Sequence, residues 1–157
     1  MPDKPTPTPI QVSQLRRAPL DRKASMSTIH HFCGSESSWD WEDVLEFPFK
    51  PGTTSSKGAS GKIMISPQEG AANFVFRYFR IEPGGHSPFK DIHAHDHGIL
   101  ILHGRGIVHL GKENYEVGPH DVVYISPMDE HWLETTGDEP LGFLCVIPGK
   151  EMIKKIG

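Results

Sequence analysis

The sequence lacks long apolar runs and contains few cysteines. No stretch approaches the ~20 apolar residues of a membrane-spanning helix, and residues 1–15 lack the apolar run of about seven to fifteen residues that a signal peptide requires. The two cysteines, Cys33 and Cys145, lie far apart in the chain, which argues against a disulfide framework and suits a reducing compartment. We therefore expect a soluble, cytoplasmic protein without a membrane partner.

The sequence also has no excess of positively charged residues. The 157 residues include 16 Lys and Arg against 20 Asp and Glu, which gives a formal net charge of −4. No Lys- or Arg-rich stripe with interleaved aromatic residues is present, so nucleic acid is not expected as a partner. A chain of this length is about the size of one domain and buries roughly two-thirds of its unfolded surface around a single core.

The N-terminal part has no regular apolar pattern. Residues 1–27 are rich in Pro, Thr, Ser, Lys and Arg, and this composition predicts a flexible arm ahead of a folded domain at 28–157. The stretch 30–51 carries aromatic and aliphatic residues at irregular spacing, which predicts a short helix at 39–45 followed by extended chain. A Gly-, Ser- and Thr-rich segment at 52–61 is predicted to be a loop.

From residue 62 onward, short β-type runs alternate with turn signals about every eight to twelve residues. Such spacing favours a closed barrel or a sandwich over a helical or βαβ fold. The sequence therefore predicts an all-β domain. The predicted strands lie at 62–66, 74–82, 93–103, 106–110, 114–117, 122–126, 132–136 and 142–147.

Histidine is abundant, with ten residues, and three of them occur at a spacing of two at His93, His95 and His97. Side chains alternate between the faces of a strand, so these three and Asp91 would project to one side if the segment is extended. Imidazole is the commonest ligand of Zn, Fe, Ni and Cu, and a nearby carboxylate is compatible with a site of two histidines and one carboxylate. His131, at the start of a later predicted strand, would close such a site from the opposite wall.

These segments resemble the two sequence motifs of the cupin superfamily, in its small single-domain form of the cupin 2 conserved-barrel type. A glycine turn, the histidine run and a further glycine are similar to the first motif, while a turn, a proline, a histidine and a closing strand are similar to the second. The resemblance implies one cupin barrel, a double-stranded β-helix or jelly roll, with an irregular N-terminal extension. The matching segments are 83–85, 93–106, 120–127, His131 and 137–145, all within 74–148.

Alignment on the glycines of the first motif places Asp91 where the first histidine of the family's His-X-His usually stands, and His93 at the second. His97 falls at the third ligand position, which is often glutamate, and His131 matches the ligand of the second motif. Carboxylate and imidazole are therefore exchanged at two positions. The resemblance implies metal ligation by His93, His97 and His131 with Asp91, and it leaves the fourth ligand open between Asp91, His95 and water.

The cofactor implied is one divalent transition metal ion per chain, either Fe, Mn, Ni, Cu or Zn. Three or four protein ligands leave an open coordination position, which catalytic metals need, and His95 is the candidate acid/base residue. The resemblance implies a dioxygenase or other oxidoreductase acting on a small organic substrate. The alternatives are a non-redox isomerase or lyase, with the metal polarising a carbonyl, and a cupin that binds a metal or ligand without turnover.

Four further expectations concern individual residues. Cupin barrels often pair through their N-terminal strands, and the apolar Val75, Phe79 and Ile81 are consistent with a homodimer. Arg77, in the same apolar strand, would clamp a substrate carboxylate if it pointed inward, but it is predicted to point outward. Cys145 is predicted to be a buried thiol. His120 stands in a turn where the family prefers glycine, so that turn must accommodate a side chain.

Overall fold

The computed structural model describes residues 27–49 and 56–150. The regular structure of these residues comprises nine β-strands and one 3-10 turn, Pro67–Glu69, and it confirms the predicted all-β fold. No helix in this part of the chain is long and apolar enough to cross a membrane. The strands are β1 (Leu45–Glu46), β2 (Lys57–Ile65), β3 (Phe74–His86), β4 (His97–His103), β5 (Gly106–Leu110), β6 (Glu113–Val117), β7 (Val122–Ile125), β8 (His131–Thr135) and β9 (Leu141–Pro148).

All nine strands belong to one curled antiparallel sheet. The order along the main path is β6-β5-β8-β3-β9-β4-β7, and β2 pairs with both β1 and β3. The last strand, β9, therefore lies between β3 and β4, with Arg77 opposite Cys145 on one side and Ile99 opposite Cys145 on the other. The curl of the sheet encloses the side chains of its inner face.

Period-two alternation decides which side chains are enclosed. In β4 the buried residues are His97, Ile99 and Ile101, and in β8 they include His131 and Leu133. Each histidine that begins one of these strands therefore lies on the same face as the aliphatic residues that follow it. Burial of each such aliphatic side chain contributes about 1.5–3 kcal/mol to stability. The core consists of Ile81, Ile99, Ile101, Val108, Val117, Ile125, Leu133, Leu141, Phe143 and Cys145.

Backbone hydrogen bonds join the two motif segments. The end of β3 meets β8 where Ser87 N–H donates to the Leu133 carbonyl at 2.8 Å. Asp91 and His131 then exchange two backbone hydrogen bonds, at 2.9 and 3.0 Å, and the Met128 N–H donates to the His93 carbonyl at 2.7 Å. The loop between β3 and β4 is thereby fixed against the start of β8.

The helix predicted at 39–45 is wrong. Trp41 forms an isolated antiparallel bridge with Phe32, and 45–46 form β1. Trp39 and Trp41 both pack on Tyr78, with ring centroids 6.1 and 5.1 Å apart. Their spacing of two matches an extended chain, which directs alternate side chains to one side, and packing against the outer face of β3 prevails over local helix propensity.

Strand boundaries also differ from the prediction in two places. β2 begins at Lys57, so residues 57–61 of the predicted loop are paired with β3, while 52–55 lie outside the described residues. β4 begins at His97 rather than at 93, because the hydrogen bonds to Met128 and His131 hold the preceding residues in a loop. The predicted arm at 1–27 lies outside the described residues except for Ser27.

The turn before β7 accommodates a side chain, as expected. His120 has a φ of 75°, in the left-handed region that glycine usually occupies. The Gly118 N–H donates to Asp121 Oδ2 at 2.8 Å, and the Asp121 N–H donates to the Gly118 carbonyl at 3.1 Å. These bonds close the turn around His120.

Candidate metal centre

Three histidines form a compact group inside the barrel. One nitrogen from each of His93, His97 and His131 lies within 4.8 Å of the other two. His97 and His131 are buried, and His93 is half-buried. Two strands separate β8 from β4 in the sheet, so only its curl brings the first residues of these strands together. The three side chains are thus positioned to bind a metal ion.

Each ring is held by a neighbouring group. His131 Nδ1–H donates to the Asp129 carbonyl at 2.7 Å, which leaves the lone pair on Nε2. His93 Nε2–H donates to Asp91 Oδ2 at 2.9 Å, which leaves the lone pair on Nδ1. His97 Nδ1 lies 3.4 Å from Cys145 Sγ. Such contacts fix the tautomer and orientation of metal-binding histidines.

The remaining nitrogen of His97 shows that the residues fit a metal ion. His97 Nε2 is buried and has no hydrogen-bond partner among the described residues. Leaving a buried polar nitrogen unsatisfied costs roughly 1–3 kcal/mol. A divalent transition metal would satisfy it, and neutral imidazole nitrogens are suitable ligands for such ions.

The electrostatics keep His97 uncharged. Burial, followed by the nearby His131 and His93, lowers its pKa to about 3. The ring is therefore neutral at neutral pH, which is the form that binds metals. The pKa of Asp91 is also lowered, chiefly by the hydrogen bond from His93, so its carboxylate is ionised at neutral pH.

The structure brings His95 close to the group but not into it. Its ring stacks on those of His93 and His97, with centroid distances of 4.9 and 5.0 Å, although its nitrogens are not part of the group within 4.8 Å. Burial, followed by the charge of His93, lowers the pKa of His95. Asp91 lies in the position that orients His93. Ligation by Asp91 or His95 and a catalytic role for His95 stay predictions.

A cavity of about 160 Å³ opens beside the three histidines. Its walls are mainly apolar, and Arg77 and Asp91 are the residues in its lining that carry a fixed charge. Sequence reasoning missed Phe47 and Phe49, which belong to the N-terminal extension. The lining comprises Phe47, Phe49, Ala59, Arg77, Phe79, Ile81, Ser87, Pro88, Asp91, His93, His97, Ile99, His131, Leu133, Phe143 and Cys145.

The outward orientation predicted for Arg77 is wrong, because its side chain lines the cavity. It shares the inner face of β3 with Phe79 and Ile81, while Tyr78 is buried on the opposite face. Since Phe79 and Ile81 serve this cavity, they supply no outward apolar surface for the predicted homodimer, which stays a prediction. The predicted burial of Cys145 is confirmed, and that burial raises the pKa of its thiol.

We expect the metal-free protein to lose stability as the pH falls below about 6.5, the ordinary pKa of histidine. Between that pH and about 3, the unfolded chain binds a proton at His97 that the folded chain does not. The free energy of unfolding should therefore fall by up to about 1.4 kcal/mol per pH unit. Urea denaturation at pH 7 and pH 5 measures this slope. His97→Gln should flatten it, and an unchanged slope in that variant would contradict the assignment to His97.

Comparison with known proteins identifies the family. The cupin domain model matches residues 77–147. A 1-methylthio-D-xylulose 5-phosphate methylsulfurylase from Rhodospirillum rubrum is 33% identical over 113 residues, covering 72% of this chain and 70% of the relative. This chain belongs to the cupin superfamily.

Solved structures agree with this assignment. A cupin-2 domain protein from Rhodospirillum rubrum is 31% identical, with a TM-score of 0.66 and coverage of 76% of this chain and 78% of that one. The polyketide cyclase RemF from Streptomyces resistomycificus is 27% identical, with a TM-score of 0.61 and coverage of 68% and 74%. The names of these relatives cover different activities, so the family alone does not define the reaction.

Proposed function

We propose that this chain is a metal-dependent enzyme that acts on a small organic molecule, with His93, His97 and His131 as metal ligands. The observation that carries the proposal is the buried Nε2 of His97, which has no hydrogen-bond partner in the described structure and belongs to a group of three nitrogens within 4.8 Å of one another. The group borders a cavity large enough for a small molecule. Iron, manganese, nickel, copper and zinc all suit this set of nitrogen donors.

The chain's own residues preorganise the site. Asp91, the Asp129 carbonyl and Cys145 each contact one of the three histidine rings and restrict its rotation. His93, His97 and His131 would hold the metal and would leave coordination positions for water or substrate. A bound metal would supply Lewis-acid polarisation of a substrate oxygen, or redox chemistry if it were iron, copper or manganese.

Two groups are available to move a proton. Asp91 borders the cavity as an ionised carboxylate and can accept a proton there. His95, which we propose as the acid/base residue, is neutral at neutral pH because its pKa is lowered. Since His95 does not line the cavity, it would exchange a proton with the site through water or a neighbouring residue.

A reaction that does not use oxygen, such as the predicted isomerase or lyase, is favoured by the relatives whose activities are named. A methylsulfurylase and a cyclase are both similar to this chain over at least two-thirds of their length, and neither name specifies an oxygen-dependent reaction. The predicted dioxygenase is the second candidate. It is favoured by the aromatic walls formed by Phe47, Phe79 and Phe143, which exclude water and tolerate an apolar gas such as oxygen.

The test combines metal content with turnover in the presence and absence of oxygen. Protein without a histidine tag is loaded with iron, manganese or zinc, and small oxo acids and sugar phosphates are followed by NMR. We expect about one metal per chain and metal-dependent conversion of at least one compound under anaerobic conditions. Conversion that requires oxygen and consumes it would favour the dioxygenase. Failure to bind any of these metals would overturn the proposal.

A further inference from the structure

We infer that Arg77 forms a subsite for an oxyanion, so that the substrate of this cavity carries a carboxylate or phosphate group. The inference rests on the proposed function, because it assigns the substrate class of the same cavity. Its basis is the placement of Arg77, the lack of a charged partner for its guanidinium among residues 27–49 and 56–150, and its position relative to the histidines.

Arg77 is fixed in the middle of the sheet. It pairs with Ile63 of β2 on one side and with Cys145 of β9 on the other. Its side chain follows the inner face of β3 together with Phe79. None of these neighbours carries a charge, so the strand register places a cation in an otherwise apolar wall.

The guanidinium has no acidic partner within the described part of the chain. Its Nη2 donates to the Cys145 sulfur at 3.1 Å, and its carbon lies 5.0 Å from the ring centroid of Phe79 and 5.9 Å from that of Phe47. Its Nε is buried and has no hydrogen-bond partner among the described residues. No carboxylate oxygen of those residues lies within the 4.0 Å of an ion pair. Asp91, the cavity's carboxylate, is instead bonded to His93.

Arg77 is half-buried, and charges withdrawn from water in proteins are normally paired, because an unpaired charge loses hydration without compensation. A sulfur atom is a weak acceptor, and ring contacts compensate only part of that loss. The donors of a guanidinium lie in one plane and match two oxygens of a carboxylate or phosphate. An oxyanion in the cavity would therefore compensate the charge of the guanidinium.

The subsite lies next to the histidine group. Cys145 Sγ is 3.1 Å from Arg77 Nη2 and 3.4 Å from His97 Nδ1, so one atom contacts both. If a molecule bound Arg77 through its anionic end, the atoms a few bonds from that end would lie at the three histidines. The cavity of about 160 Å³ restricts the ligand to a small molecule. The substrate class is thus a small organic anion whose reacting group is close to its charged end.

The test measures binding of two anions to the metal-free protein by NMR titration, with pyruvate for the carboxylate and inorganic phosphate for the phosphate. Arg77→Met retains the apolar stem without the charge, and Arg77→Lys retains the charge without the planar donors. Arg80→Gln is the matched control, because Arg80 lies on the outer face of the same strand and is bonded to Glu82 at 2.7 Å.

We expect at least one anion to bind the wild type and Arg80→Gln equally, to bind Arg77→Met at least about tenfold more weakly, and to bind Arg77→Lys with intermediate affinity. The anion with the larger loss identifies the favoured group. Equal binding to Arg77→Met, or no binding to the wild type, would overturn the inference. Metal content, measured separately in the same variants, distinguishes the two proposals. Anion binding that depends on Arg77, without metal uptake, would contradict the proposed function alone. Metal uptake with anion binding that does not depend on Arg77 would contradict the subsite alone.

Discussion

Replacing His97 with alanine should lower the affinity of the protein for a divalent transition metal by more than about 100-fold. Loss of a residue that only orients a metal ligand already lowers metal affinity roughly 10–100-fold, and loss of the ligand itself should cost more. The substitution removes His97 Nε2, a buried nitrogen that no other described residue satisfies. His131→Ala should have a similar effect, because its ring points into the same group. Competition with a chelator measures the affinity, and elemental analysis measures the metal content.

Two further variants serve as controls for the loss of metal affinity in His97→Ala. His31→Ala removes an exposed histidine outside the barrel and should leave metal affinity unchanged. Asp91→Asn retains the size of the side chain and loses its charge, so a loss of roughly 10–100-fold is expected if Asp91 only orients His93. A loss as large as that of His97→Ala would show that Asp91 is itself a ligand. Unchanged metal content in both His97→Ala and His131→Ala would refute the assigned centre.

Replacing Gly104 with alanine should destabilise the protein by about 2–4 kcal/mol, through an unfavourable backbone conformation combined with overpacking. Gly104 has a φ of 72°, and a Cβ there would collide with the Pro140 carbonyl, which is backbone and has little freedom to move. Gly84→Ala is the matched control. Gly84 has a φ of 71°, but a Cβ would meet nothing within 4 Å, so about 1–2 kcal/mol is expected from the backbone alone. Urea denaturation measures both values, and equal losses would contradict the role of the collision.

The sequence predicted best where one face of a strand is clearly apolar. His97 precedes Ile99 and Ile101 at a spacing of two, and His131 precedes Leu133 in the same way, so alternation alone assigns both histidines to the interior. The motif resemblance then assigned the two histidines to one metal site, although their strands do not pair with each other. Fold and histidine group were therefore within reach of sequence reasoning.

The inner face of β3 was beyond that reasoning. Alternation places Arg77 on the same face as Phe79 and Ile81, but Phe76 and Tyr78 make the other face apolar as well, so it could not say which face points inward. The ambiguity arises because Trp39 and Trp41 cover the outer face. The aromatic walls contributed by the N-terminal extension were missed for a related reason. That extension has no periodic pattern, and its position is set by long-range packing.

The place of β9 in the sheet has a consequence for the order of folding. Because β9 is the final strand of the sheet in the sequence and lies between β3 and β4, these two strands cannot be joined through it until residue 148 has left the ribosome. Pairing between segments so distant in sequence is slow, since the chain must first lose the entropy of closing long loops. The sheet that brings His97 of β4 near His131 of β8 is therefore completed only after β9 has been synthesised.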